Sequence, residues 1–231
     1  MAPRFEAGDR LVYLGNVLGH GPQIVAAVDE VLRFRARVIA RRWGFAADVA
    51  ILRGAQEEMW QKLLELQFAP NPRDVLAFML AQGVAATIEA YGGDPRQALS
   101  AAREGPLALT RWTTDLRQRL NATAGHVMFM ANLRRAAFTD TNSLLFVHAG
   151  LDAAKPLDLQ GDAFWWGGGA FLELAEAFGS YKRVIRGFDR RHGGLIEAPF
   201  TVSLDGGCGF GGSLIAACFD HDGSVLDHVD I

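Results

Sequence analysis

Arg10-Leu-Val-Tyr-Leu-Gly-Asn-Val-Leu-Gly-His-Gly21 decides how the rest of the chain is read. Its first half is a short, nearly all-apolar run ending in glycine, the pattern of a buried strand that feeds a loop. Pro22 is well placed as the first residue of a helix. Ile24, Val25, Val28, Val31, Leu32, Arg35 and Ile39 keep mostly helical spacing up to a stop at Gly44. Ala47–Leu52 is then a second apolar run, closed by Arg53-Gly54. A strand, a helix and a strand in this order predict a parallel crossover, which brings both strand-end loops to one edge of a sheet. That edge is where α/β proteins place their ligands.

Outward from this unit, residues about 57–137 read as helical. The candidate helices are Glu57–Phe68, Pro72–Tyr91, Pro95–Ala102, Leu107–Leu120 and His126–Arg135, punctuated by Pro70, Gly92-Gly93 and Gly105-Pro106. Strands are expected again at Ser143–Val147, running into His148-Ala-Gly150, and at Arg183–Ile185, running into Arg186-Gly-Phe188. The end of the chain reads as strands Phe200–Leu204, Ser213–Phe219 and Ser224–Val229. Asp205-Gly-Gly-Cys-Gly-Phe-Gly-Gly212 connects the first two, and Asp220-His-Asp-Gly223 is a tight hairpin loop.

Composition sets bounds without naming a partner. The 231 residues, half of them apolar, suffice for one domain with a buried core. A net charge of −3 with dispersed Lys and Arg excludes a basic nucleic-acid face and an acidic disordered tract. Two cysteines, Cys208 and Cys218, in what read as consecutive strands suggest reduced thiols and a cytoplasmic setting. Met-Ala-Pro-Arg-Phe-Glu6 has no apolar signal region, and no run reaches the ~20 apolar residues of a membrane helix.

The order of elements, together with Asp9-Arg-Leu-Val-Tyr-Leu-Gly15, Ile51-Leu-Arg-Gly54, Leu145-Phe-Val-His-Ala-Gly-Leu151 and Val202-Ser-Leu-Asp-Gly-Gly207 continuing into Gly209-Phe-Gly-Gly212, resembles the calcineurin-like metallophosphoesterases. It is most similar to the bacterial branch of serine/threonine protein phosphatases and symmetrical diadenosine tetraphosphate hydrolases, and Gly83–Gly92 resembles a segment of the same branch. The resemblance spans nearly the whole chain. It implies an α/β fold of two packed β-sheets flanked by helices, one domain over residues 1–231 with a helical insert at about 57–137. The family's first strand, which carries GDxHG, has no place in the nine residues before Arg10. It implies a cofactor pair of divalent metals such as manganese, held by carboxylate, amide and imidazole groups.

Carried over residue by residue, that ligand set is largely gone. In GDxxDRG the bridging aspartate falls on Asn16, the second aspartate on Gly19 and the phosphate-binding arginine on His20. In GNHE the metal-binding asparagine falls on Ala55 and the catalytic histidine on Gln56, while Glu57 is kept. His148 matches a family metal ligand. The final histidine falls on Phe188, and the arginine after Phe164-Trp165 falls on Gly167. An amide lacks the charge of a bridging carboxylate, alanine cannot coordinate, and glutamine cannot donate a proton near neutral pH. A start codon assigned too late would restore GDxHG but none of these positions.

The remaining features have bland and sharp readings. His148 is either a ligand of one metal or phosphate, or a buried histidine bonded to a backbone carbonyl. Asn16 with His20 is a residual polar pocket or an unconstrained loop. His192, His221 and His228 read as solvated surface groups. Arg183, Arg186, Arg190 and Arg191 form a basic cluster, in which Arg186 and Arg190 are candidates to hold a phosphate without metal; the alternative is a solvated charge run. Trp165-Trp166 reads as core or rim.

The expectation is therefore a pseudo-phosphatase: a catalytically inactive homologue that has no metal cofactor and binds a protein or a phosphorylated small molecule, as a homodimer or with a protein partner. The competing reading is a surviving metal-dependent phosphohydrolase acting on phosphoprotein or dinucleoside polyphosphate through His148. A third is a metal-independent nucleotide sensor using the arginine cluster.

Overall fold

A computed structural model describes residues 4–42 and 44–231; the first three residues of the expected signal-free N-terminus lie outside it. The crossover is present. Strands β1 (Leu11–Tyr13) and β2 (Val49–Ile51) pair in parallel, Leu11 opposite Val49 and Tyr13 opposite Ile51. Between them runs helix α1 (Ile24–Ile39), whose buried Ile24, Val28, Val31 and Val38 repeat at helical spacing. Pro22 lies ahead of the helix instead of opening it, and a short 3-10 turn (Ala46–Asp48) takes the residues expected to begin β2.

The helices after β2 are α2 (Ala55–Leu64), α3 (Pro72–Ala81), α4 (Val84–Ala90), α5 (Pro95–Glu104), α6 (Pro106–Ala122) and α7 (His126–Ala131). One long expected helix, Pro72–Tyr91, is thus two. Gly83, at φ 99°, stands between them in a left-handed conformation that breaks the hydrogen-bond ladder and that only glycine enters freely. Asp94 caps α5 by accepting from Arg96 N.

A five-stranded mixed sheet follows, in the order β3 (Ala137–Phe138), β4 (Leu144–Val147), β5 (Arg183–Arg186), β7 (Thr201–Asp205), β6 (Gly194–Glu197). Pairs β4–β5 and β5–β7 are parallel; the outer two are antiparallel. Both faces are covered, which explains why the central strands read as unbroken apolar runs. On one face Leu145, Val147 and Val184 pack with Phe164, Trp165 and Phe171; on the other Leu144, Ile185, Val202 and Leu204 pack together. Each such buried aliphatic side chain contributes about 2 kcal/mol. Helix α8 (Ala163–Trp166) supplies Phe164 and Trp165. The chain closes with the antiparallel hairpin β8 (Ile215–Phe219) and β9 (Val225–Asp230), turned at Asp220–Gly223 as expected.

The chain divides into two compact units. The first holds residues 1–15, 38–55 and 133–231, hence every strand named above; the second holds residues 16–37 and 56–132, hence most of the helix. The architecture is mixed α/β with several sheets. No helix of the described residues is long and apolar enough to cross a membrane.

Candidate functional site

The residues singled out by sequence gather in two places, one in each unit. In the helical unit they surround the carboxylate of Glu57, in the first turn of α2. This side chain is fully buried and accepts two backbone N–H groups, from Asn16 to Oε2 and from Leu18 to Oε1, both at 2.9 Å. Asn16, at φ 56°, turns the chain so that its own Oδ1 accepts Gln56 N at 3.0 Å. Gly19 N bonds Thr87 Oγ1 at 3.0 Å. Gln56 donates from Nε2 to Gln82 O at 2.7 Å and approaches His20 Nε2 at 3.4 Å, while its Oε1 is buried without a partner. Asn16, His20, Gln56 and Glu57 therefore come together, and their polar atoms are largely committed to the loop itself. A Cβ added at Gly19 would fall on Cγ and Cδ of Gln56, so the amide occupies the space that an aspartate there would need.

In the β-rich unit the centre is His148, at the end of β4 and 1 % exposed. Nδ1 lies 2.7 Å from Leu14 O, which fixes the proton on Nδ1 in the neutral ring. Nε2 is buried with no partner. Burial pushes the imidazole down from its ordinary value to about 4, against the opposing pull of the Leu14 carbonyl and Asp205. Phe188 stacks on it, centroids 5.4 Å apart and planes 13° from parallel. On the third side Gly15 approaches so closely that a Cβ would sit 2.7 Å from Gly54 N and 2.8 Å from His148 Nδ1. The carbonyl reading of His148 describes its Nδ1, and Nε2 is the atom left over.

Three expectations change. Arg186 is not available to a ligand: it is 3 % exposed, with Nε on Ser203 Oγ at 3.0 Å, Nη1 on Gly168 O at 3.0 Å, Nη2 3.2 Å from Asp189 and its carbon 4.6 Å above the Phe171 ring. A buried guanidinium must spend its donors inside the protein, and this one braces the sheet. Arg190 stays exposed. His192, expected in solvent, instead lies 2.9 Å from Asp205 Oδ2 and stacks on Phe210. His221, paired with Asp220, and His228 are exposed as expected. Trp165 is core, and its Nε1 donates to Arg53 O at 3.1 Å. Cys208 lies in the glycine-rich loop and not on a strand; it and Cys218 are free thiols.

Among the described residues no three of His, Cys, Asp and Glu stand close enough together to hold a metal ion. The groups at the expected ligand positions do not fit a metal pair: Asn16 Oδ1 is bonded to Gln56 N, Gln56 fills the space beside Gly19, and Phe188 stands on His148.

No family model matches the sequence, and no curated protein matches it. A solved structure described as "Crystal structure of a putative diadenosine tetraphosphatase" is similar over 99 % of this chain and 83 % of its own, with TM-score 0.54 and 20 % identity. The likeness is one of fold.

Proposed function

We propose that this chain is a metallophosphoesterase homologue that has lost metal-dependent hydrolysis and acts by binding, with a phosphorylated small molecule as its ligand and a protein partner or second copy as the alternative. The observation that carries this is the state of the expected ligand positions: Asn16 Oδ1 accepts Gln56 N, Gln56 fills the space beside Gly19, and Phe188 stacks on His148. Two metal ions need anionic donors whose lone pairs are free, because each ion sheds hydration as it binds. In this reading residues 1–231 are one cytoplasmic domain, a two-sheet sandwich with its insert at about 57–137.

The test is elemental analysis of the purified protein, followed by assay of an aryl phosphate and diadenosine tetraphosphate with added manganese. The expected result is less than one metal per chain and no turnover above that of His148→Ala. Two tightly held ions, or hydrolysis that disappears in His148→Ala, would replace this reading by the phosphohydrolase one, which the unpartnered Nε2 of His148 favours.

A further inference from the structure

A second constellation lies in the β-rich unit, centred on a histidine outside the positions expected to bind metal. Asp205, the last residue of β7, is 9 % exposed, and its carboxylate gathers three groups. Oδ2 accepts Asp189 N at 2.7 Å and faces His192 Nδ1 at 2.9 Å; Oδ1 accepts Gly207 N at 2.9 Å. A carboxylate that already accepts two N–H groups can only accept from the imidazole, so Nδ1 carries the proton and Nε2 presents its lone pair. Nε2 has no partner among the described residues, and the side chain is 26 % exposed. The ring is held on both sides, stacked on Phe210 at 4.5 Å and edge-on to Phe188 at 6.2 Å.

The backbone is held with equal care. His192 has φ 48°, a left-handed conformation that a histidine adopts at a cost of about 1 kcal/mol or more. Its N–H closes the turn on Asp189 O at 2.9 Å. Arg190 and Arg191 lie inside that turn, exposed, and their guanidinium groups make no hydrogen bond or ion pair with described residues. An oriented, basic, reachable imidazole thus shares one tight turn with two unspent cations. A solvated surface histidine needs none of these constraints.

We propose that His192 is a nucleophile for metal-independent phosphoryl transfer, with Asp205 positioning it and Arg190 and Arg191 drawing in the anionic phosphoryl group. The donor class is a phosphoramidate or a similarly activated phosphate. The Nε2 lone pair forms an N–P bond as the P–N bond of the donor breaks, and the amine leaves with a proton taken from water. The ring becomes a cation that keeps Nδ1–H on Asp205, which offsets its charge. Attack by water then releases inorganic phosphate and restores the neutral imidazole.

The experiment treats the full chain with potassium phosphoramidate and follows each histidine by peptide mass spectrometry at neutral pH. His221 and His228 are more exposed than His192 and serve as internal controls. Accessibility alone predicts that they react first; the proposal predicts that His192 gains a phosphoryl group roughly tenfold faster, as an oriented nucleophile should. Asp205→Asn should abolish that advantage and shift the 15N signals of His192 away from the Nδ1–H tautomer. Because Asp205 also holds two backbone N–H groups, Arg190→Ala/Arg191→Ala is the second variant: it leaves the pair intact and should slow His192 alone by several-fold. His192 reacting no faster than His221 and His228, or an Asp205→Asn protein that folds and keeps the advantage, would overturn the proposal. Treatment with EDTA should leave the His192 rate unchanged, which separates this result from the outcome of the metal assays.

Discussion

The loop around Glu57 and the surroundings of His148 both hold residues that the sequence singled out, yet they are closed in different ways. The Glu57 loop is closed by hydrogen bonds. The buried Glu57 carboxylate is solvated by Asn16 N and Leu18 N, and Asn16 Oδ1 ties down Gln56 N. The His148 pocket is closed by packing: an aromatic ring covers the imidazole, glycine backbone presses on it, and only Nδ1 finds a partner. A charged group must be compensated wherever it is buried, whereas a titratable one can shed its charge. Glu57 keeps its charge with backbone donors around it, whereas burial holds His148 neutral.

The largest expected effect comes from removing the anion. Glu57→Ala leaves two N–H groups in a closed loop without an acceptor and should cost about 4 kcal/mol, read from urea unfolding. If the loss is below about 1 kcal/mol, the loop is not organised by this carboxylate.

Next is a pH effect confined to the packed pocket. The His148 pKa is about 4 in the folded chain and 6.5 as its ordinary value, so the unfolded state binds the proton first as pH falls. Its contribution to stability is complete above about pH 6.5 and is lost as the pH falls from there to about 4, a total of about 3 kcal/mol. Urea midpoints across that window should fall with pH, and His148→Gln should flatten the curve.

Smaller effects sharpen the contrast. Gly19→Asp restores a family ligand in name, but it places a side chain at φ 105° onto Gln56. It should cost about 2 kcal/mol in thermal or urea unfolding and yield no calorimetric manganese binding. Trp165→Phe deletes the bond to Arg53 O in the packed region and should cost about 1 kcal/mol. A cost equal to that of Glu57→Ala would show that hydrogen bonds govern both regions alike.

Much of the scaffold was legible because its signals are local. Leu11–Tyr13, Val49–Ile51 and Leu144–Val147 are apolar runs bounded by loop residues, and α1 announces itself through Ile24, Val28 and Val31. Gly83 was hidden because one glycine inside a helical pattern does not reveal its φ. Strand β6 was not among the expected strands; its four residues carry too short a pattern to stand out, and it is defined by its pairing with β7. The site was legible only as substitutions. That Arg186 is an internal brace depends on Ser203, Gly168 and Asp189, and that His192 is oriented depends on Asp205, thirteen positions away. No periodicity encodes such pairings; they arise where strand ends converge.

The crowding of Gly19 by Gln56 has a consequence for the order in which this protein can change. A side chain can enter at 19 only after 56 has become smaller or turned aside, while a smaller residue at 56 with 19 left bare gives up the bond to Gln82 O but meets no clash at 19. Substitutions at the two positions therefore do not commute, and drift through this loop is ratcheted: each step that enlarges residue 56 removes a path back.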